Sequence, residues 1–420
     1  MAQFNLTDQT ELFKINYYKK SENMYNSANV LLGRIKKKYD FTGKQRFVAT
    51  PLSFSGGVGS GTLPTSGVAN YEDALITSTR VYATCEIERE AIKASADDKG
   101  AFVRATKETV QKCVESYMRN ASRILFGTSD GILGVGDGAA ANVSGAGSTG
   151  SPYIVEFGVS QWKEANWEEK DLVEMVTGGT LTNGQLLGGA AEGTLLEIVA
   201  VDPDNRQVSL VGTSARLATL SGAGPLAVTD GIAMQGSYLA DPNGLKHVLD
   251  ATSGSLYNIA VQRRWQATNI DAAGGGITED LMNQVMLDVE RKFGRAPNMI
   301  ICSYVQYRKI MDLLDSQKRY NLPARDSKLK GKISFEGLEF MSTRGAIGIF
   351  PERFCDDDRI YFLNDNFIEC HHRPGHGWFD DDGTVFLRKS NADEYEARYG
   401  GYYQNYIVPS AHGVLQNLAV

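Results

Sequence analysis

From Phe47 to Tyr71 the chain carries no charged side chain, and within that stretch Ser53 to Val68 holds five glycines and four serines. Such a segment has too little apolar surface to build a core, and its glycines leave it flexible, so it reads as a loop. Two β-forming runs bracket it, Gln45 to Phe54 and Tyr71 to Glu88. In the second, Val81-Tyr82-Ala83-Thr84-Cys85-Glu86-Ile87 alternates or nearly so. Together they predict a long hairpin arm. An isolated arm of this kind is marginal in water, so it is expected to lie against something else, most simply another copy of the chain.

The rest of the chain has ordinary globular material. Of its 420 residues, 42% are hydrophobic and 22% charged, enough for at least one large core, and the length predicts internal division or an insertion. No apolar run reaches about 18 residues, and polar residues follow Met1, so neither a membrane span nor a secretory signal is expected. Five cysteines, Cys85, Cys113, Cys302, Cys355 and Cys370, are far apart in sequence. That is no disulfide framework, and it points to synthesis in a reducing cytoplasm. Charge is uneven: residues 1–46 hold nine basic and four acidic side chains, +5, against −12 for the remainder. A basic tail on an acidic body suits nucleic acid or an acidic partner. The plain alternative for a run as short as Lys36 to Lys38 is a solvated helix face.

After the hairpin comes the clearest helix, about 96–126. Ser95 and Asp98 resemble a capping box, Val103, Val110, Cys113, Val114, Tyr117, Ala121 and Leu125 keep helical spacing, and Gly127 follows. At 1.5 Å per residue this is a rod of roughly 45 Å. Gly145-Ala-Gly147-Ser-Thr-Gly150 matches the dinucleotide fingerprint in form. It lacks the strand before and helix after that would place a pyrophosphate on a helix N-terminus, so no nucleotide site is expected. Residues 153–239 read as short strands, Leu172 to Val176, Leu195 to Val201, Gln207 to Val211 and Ile232 to Gln235, with a tight turn at Asp202-Pro203-Asp204-Asn205. They predict a small inserted β-barrel or sandwich. Further on, Leu281, Val285, Val289 and Phe293 mark a helix with acids at its start, bases at its end, then Gly294 and Pro297. Met299 to Cys302 is a buried strand, Tyr307 to Leu314 a second helix, and Glu394 to Val408 a long β stretch broken at Gly400-Gly401.

The chemistry of the chain is sparse. There is no P-loop, nucleophile-elbow serine, HExxH or CxxC. Cys370, His372 and His376 offer sulfur and imidazole, near the acidic runs Asp356 to Asp358 and Asp380 to Asp382. They are the one candidate metal set, with a Pro374-Gly375 turn to return His376 toward His372. Neighbouring strand residues face opposite sides, which argues against Cys370, His371 and His372 sharing an ion. The Asp triplets read as polar turns. The tyrosines of 395–406 read as packing rather than base stacking. No catalytic residue and no cofactor is expected.

The order of parts, a basic arm, a charge-free hairpin, a long helix, a β-rich insertion and an α/β region closing on a long strand, resembles the major capsid protein of tailed double-stranded-DNA bacteriophages. The fold is shared with herpesvirus capsid proteins and encapsulin shells. The likeness rests on Val103 to Leu125, on Arg295 to Cys302 leading into Tyr304 to Leu314, and on Tyr395 to Leu418. It implies an α+β capsid fold with residues 1–40 as N-terminal arm, 41–92 as extended loop, 93–154 as spine helix and start of the peripheral domain, 155–240 as inserted β-domain and 241–420 as axial domain and remaining peripheral domain. It implies pentamers and hexamers closing an icosahedral virion shell round DNA held by non-specific contact. Portal, scaffolding or decoration proteins are the further partners, a bacterial cytoplasm is the place of synthesis, and a membrane has no part. Because the arm begins near Met1, the scaffold is expected to be a separate protein or none. Phe54, Leu63, Val68 and Tyr71 are the expected intersubunit contacts, and Lys36, Lys37 and Lys38 the contact to the interior or a scaffold. An encapsulin-like nanocompartment and a metal-dependent enzyme on Cys370, His372 and His376 are the rival readings.

Overall fold

In a computed structural model the described residues are 30–41, 43–53, 70–88, 99–136, 143–144, 150–158, 162–177, 185–186, 196–212, 231–317, 338–342, 345–373, 377–379, 383, 385–389 and 393–420. The chain opens with helix α1 (Val30–Arg34) and strands β1 (Lys36–Lys38), β2 (Gln45–Ser53), β3 (Asn70–Thr77) and β4 (Thr79–Glu88), followed by the long helix α2 (Lys99–Phe126). Strands β5 (Ile132–Val135), β6 (Val143–Ser144), β7 (Tyr153–Glu156), β8 (Leu172–Thr177), β9 (Gln185–Leu186), β10 (Leu196–Asp202), β11 (Gln207–Val211) and β12 (Gly231–Met234) come next. Then follow α3 (Leu245–Leu249), β13 (Ser255–Leu256), β14 (Ile259–Ala260), β15 (Thr268–Asp271), α4 (Glu279–Phe293), β16 (Met299–Cys302) and α5 (Tyr304–Gln317). The chain closes with β17 (Leu338–Ser342), β18 (Gly345–Pro351), β19 (Ile360–Leu363), β20 (Ile368–His372), β21 (Gly377–Trp378), β22 (Phe386–Arg388), β23 (Glu394–Ile407) and β24 (Gly413–Gln416).

Three bodies of packing organise these elements. The first is a sheet in the order β1-β20-β23-β21, with β4 and β22 also paired to the long β23. On it lies α2, whose Val110, Cys113, Val114, Tyr117, Ala121 and Leu125 are buried, the 3.6-residue stripe of its sequence. The expected break at Gly400-Gly401 is absent: β23 runs through both, pairing with β4 on one side and β21 on the other. A Cβ at Gly400 would stand 2.5 Å from the Val81 carbonyl oxygen and 2.8 Å from the Tyr82 ring. The glycine therefore permits a close strand approach where the sequence suggested an interruption.

The second body is the insertion. Its strands form one open, antiparallel sheet in the order β5-β12-β8-β10-β11-β7-β6, and among the described residues its two ends do not pair. Among the described residues the expected barrel or sandwich is thus a single open sheet, and it draws in β5, upstream of the expected start at 155. Alternate residues Tyr153 and Val155, Leu196 and Ile198, and Val208 and Leu210 are buried on one face. There Trp167 packs 5.0 Å from Phe157 and 6.1 Å from Trp162, centroid to centroid. This aromatic group gives the insertion a core of its own.

The third body is a mixed sheet in the order β15-β24-β19-β16-β18-β17, packed by α4 and α5. Helix α4 has the ends its sequence marked: the Thr278 hydroxyl accepts from the Leu281 N–H, and Gly294 takes the left-handed φ of 81° that its Cα tolerates. The helix sits hard against β24 at Gly413, where a Cβ would come 2.6 Å from Val285.

Candidate assembly surfaces

The hairpin is β2 paired antiparallel with β3, Phe47 opposite Leu75, Ala49 opposite Asp73 and Pro51 opposite Tyr71. The second β run of the sequence does not continue the hairpin: it divides at Ser78, whose N–H donates to the Lys44 carbonyl at 3.0 Å, and β4 leaves to join β23. The two faces of the hairpin differ. The inner face is held by the chain itself: Ala74 and Ile76 are buried in the main core, and the Thr50 hydroxyl meets the Tyr406 hydroxyl at 2.9 Å. The base is tied by Arg46, which pairs with Asp40 at 2.5 Å. The outer face presents Phe47, 63% exposed, and Tyr71, 56% exposed, beside Ala49 and Pro51. Of the expected contact residues, Tyr71 lies on this face, while Phe54, Leu63 and Val68 lie outside the described residues. Phe47 was not singled out by sequence reasoning. The available signal was its odd register with Ala49 and Pro51, which puts the three on one side of a strand.

The three lysines form β1 itself, in parallel with β20, Lys36 opposite Glu369 and Lys38 opposite His371. Lys36 donates to the Asn366 side-chain oxygen at 3.0 Å, and Lys38 pairs with Glu369 at 2.7 Å. Lys36 and Lys38 thus have partners within the chain. Glu369 is held down to about 2, first by its bond to His371, with Lys38 adding to it against the opposing effect of burial.

Cys370 and His372 share one side of β20, Sγ to Nε2 3.2 Å. They are enclosed by Tyr39, whose ring stacks on His372 at 5.4 Å, and by Tyr403 at 5.3 Å. Burial pushes the Cys370 thiol up to about 12, the reverse of what a metal ligand requires. His371 faces the other way, where Asp40 accepts from its Nδ1 at 2.9 Å. His376 lies outside the described residues, and among the described residues no three His, Cys, Asp or Glu side chains converge as a metal site.

The sequence reading missed a buried ionic joint. Asp356, read as part of a polar turn, is only 5% exposed. It contacts Lys163 at 2.5 Å, Lys246 at 3.1 Å and Arg359 at 3.7 Å. Arg359 in turn reaches both Asp250 oxygens at 2.7 Å. The joint lines a cleft of about 390 Å³ with Arg123 and Asp241, themselves 3.3 Å apart. Burial pushes the Asp356 carboxyl up, but Lys163 and then Lys246 outweigh it and hold the group well below the usual carboxylate range. The joint therefore links the insertion, through Lys163, to α3 and to the loop between β18 and β19.

The fold has a solved counterpart in the capsid asymmetric unit of cyanophage A-1(L), at TM-score 0.55 and 10% identity, covering 93% of each chain. In sequence, residues 228–419 match the family model of the SU10 major capsid protein. Over that region, just under half of its length, the chain is similar to this capsid family. The matched region holds the mixed sheet, the loop that carries Asp356, and β23. Other solved structures resemble the chain more distantly. The capsid of a native GTA particle has TM-score 0.44 and 8% identity, covering 92% of this chain and 90% of that one. The SrpI encapsulin complex of Synechococcus elongatus has TM-score 0.41 and 7% identity, covering 93% and 87%. No curated protein matches the chain in sequence.

Proposed function

We propose that the chain builds an icosahedral shell of pentamers and hexamers around a double-stranded DNA genome, with the outer face of the hairpin resting on a neighbouring copy. The observation that carries this reading is the exposed, apolar Phe47 and Tyr71 side of β2 and β3. A neighbour can cover it while burying few charges, Asp73 being the one acid of that face among the described residues. An unpaired buried ion would cost several kcal/mol. In this reading residues 1–40 are the arm, 41–92 the extended loop, 93–154 the spine helix and start of the peripheral domain, 155–240 the decorating insertion and 241–420 the axial and remaining peripheral domain. Lys36, Lys37 and Lys38, with the rest of the basic arm, face the interior or a scaffold, DNA is held without sequence preference, and portal, scaffolding or decoration proteins complete the particle. The protein is made in the cytoplasm of a bacterial host.

The test is to express the chain alone and image it by negative-stain electron microscopy, beside a Phe47→Asp, Tyr71→Asp double variant. Closed shells or rings of five and six copies are expected from the parent, and dispersed subunits from the variant. Shells of normal yield from the double variant would reject the hairpin contact. Co-purifying protein cargo in place of nucleic acid would make the shell a nanocompartment.

A further inference from the structure

Two of the five cysteines meet where α2 crosses the main sheet. In the β4–β23 ladder Cys85 is opposite Ala397, and two residues along the same face Ala83 is opposite Tyr399. Tyr399 meets Tyr117 of α2 edge-on, ring centroids 5.0 Å apart. Cys113 stands one helical turn before Tyr117 on the same face of α2. One turn advances about 5.4 Å and two strand residues about 6.7 Å, so the step from Tyr117 to Cys113 matches the step from Tyr399 to Ala397 and Cys85. Ala397, opposite Cys85, carries only a methyl group. Both thiols are buried, Cys85 7% and Cys113 5% exposed, in one apolar core. Their mutual contact is the leading influence on both titrations, drawing Cys85 down and pushing Cys113 up.

We propose that Cys85 and Cys113 are a disulfide-forming pair, a redox modification site at which a low-molecular-weight disulfide fastens β4, and with it the base of the hairpin, to α2. With oxidised glutathione the electrons balance in two steps. The Cys85 thiolate attacks one glutathione sulfur, breaking the glutathione S–S bond and releasing one glutathione thiolate. Cys113, its proton lost to solvent, attacks the Cys85 sulfur of the mixed disulfide, forming the Cys85–Cys113 bond and releasing the second. Two electrons pass from the protein to glutathione, which leaves as two thiols. Burial makes the reaction wait for local opening of α2 from the sheet, so it slows the rate without changing the product.

The test treats the folded full-length chain with oxidised glutathione, blocks remaining thiols with N-ethylmaleimide, and reads intact mass, a non-reducing peptide map and Tm. Expected are the loss of two hydrogen atoms, a link between the peptides holding Cys85 and Cys113, and an upward Tm shift that dithiothreitol reverses. Cys113→Ser should abolish the link and the shift, leaving at most a glutathione adduct on Cys85. The map of the unmodified sequence decides the matter even if that variant does not fold. Cys85 and Cys113 both recovered as maleimide adducts after oxidation, or joined instead to Cys302, Cys355 or Cys370, would overturn the assignment.

Discussion

The outer face of the hairpin and the joint at Asp356 treat polarity in opposite ways. The hairpin leaves Phe47 and Tyr71 largely in water, 63% and 56% exposed. The joint draws Asp356, Arg359, Lys163 and Lys246 out of water and pairs them with one another. Apolar surface costs a modest amount to leave exposed, roughly 25 cal/mol per Å², and regains it on any complementary neighbour. Buried charges are tolerated only when their partners are fixed in place. The first region is therefore unfinished within one subunit and suits an assembly contact. The second is complete within one subunit and suits a fixed subunit shape.

Removing the centre of the joint is the strongest way to break this contrast. Asp356→Ala leaves Lys163 and Lys246 facing each other without their shared anion, and should cost about 3–5 kcal/mol in urea unfolding at pH 7. The sign with pH follows: a carboxyl held below its unfolded value stabilises above about pH 4, and that stability is lost as the pH falls through the folded value. A loss of under about 1 kcal/mol would mean that the joint is loosely packed. Glu352, beside the same loop, has the opposite sign, since burial raises its carboxyl to about 7. The folded chain then holds a proton that the unfolded chain releases near pH 4.3, so stability falls as pH rises between these values. Glu352→Gln should raise stability at pH 8 by up to about 3 kcal/mol and leave it unchanged at pH 4. An equal gain at both pH values would contradict this.

Smaller effects separate the two faces of the hairpin. Tyr406→Phe removes the inner bond to Thr50 and should cost about 1 kcal/mol, read as a shift in urea midpoint at constant m. The outer substitutions Phe47→Asp and Tyr71→Asp should change the stability of the unassembled subunit by no more than about 0.5 kcal/mol. A large loss there would show that the outer face is covered within the subunit, and the contrast between the two regions would fail.

Elements whose signals are local were legible. Helix α4 carries its cap, charge pattern and terminal glycine in consecutive residues, and β8, β10, β11 and β12 emerge close to their expected bounds because each is a short apolar run between turns. The long strand was read as broken because Gly400 looks like an interruption until Tyr82 is placed across it. Cys370 and His372, two residues apart, lie on one side of β20, but Tyr39 and Tyr403, which enclose them, come from distant parts of the chain.

By itself the sequence determined the order of the parts, the charge-free hairpin and the stripe of α2, since period, capping and turn chemistry act over a few residues. Only the tertiary structure decided that Asp356 belongs to a buried joint, which side of β2 is left in water and which cysteines meet. Burial and charge pairing join residues far apart in the chain, and a sequence lists its residues without their partners.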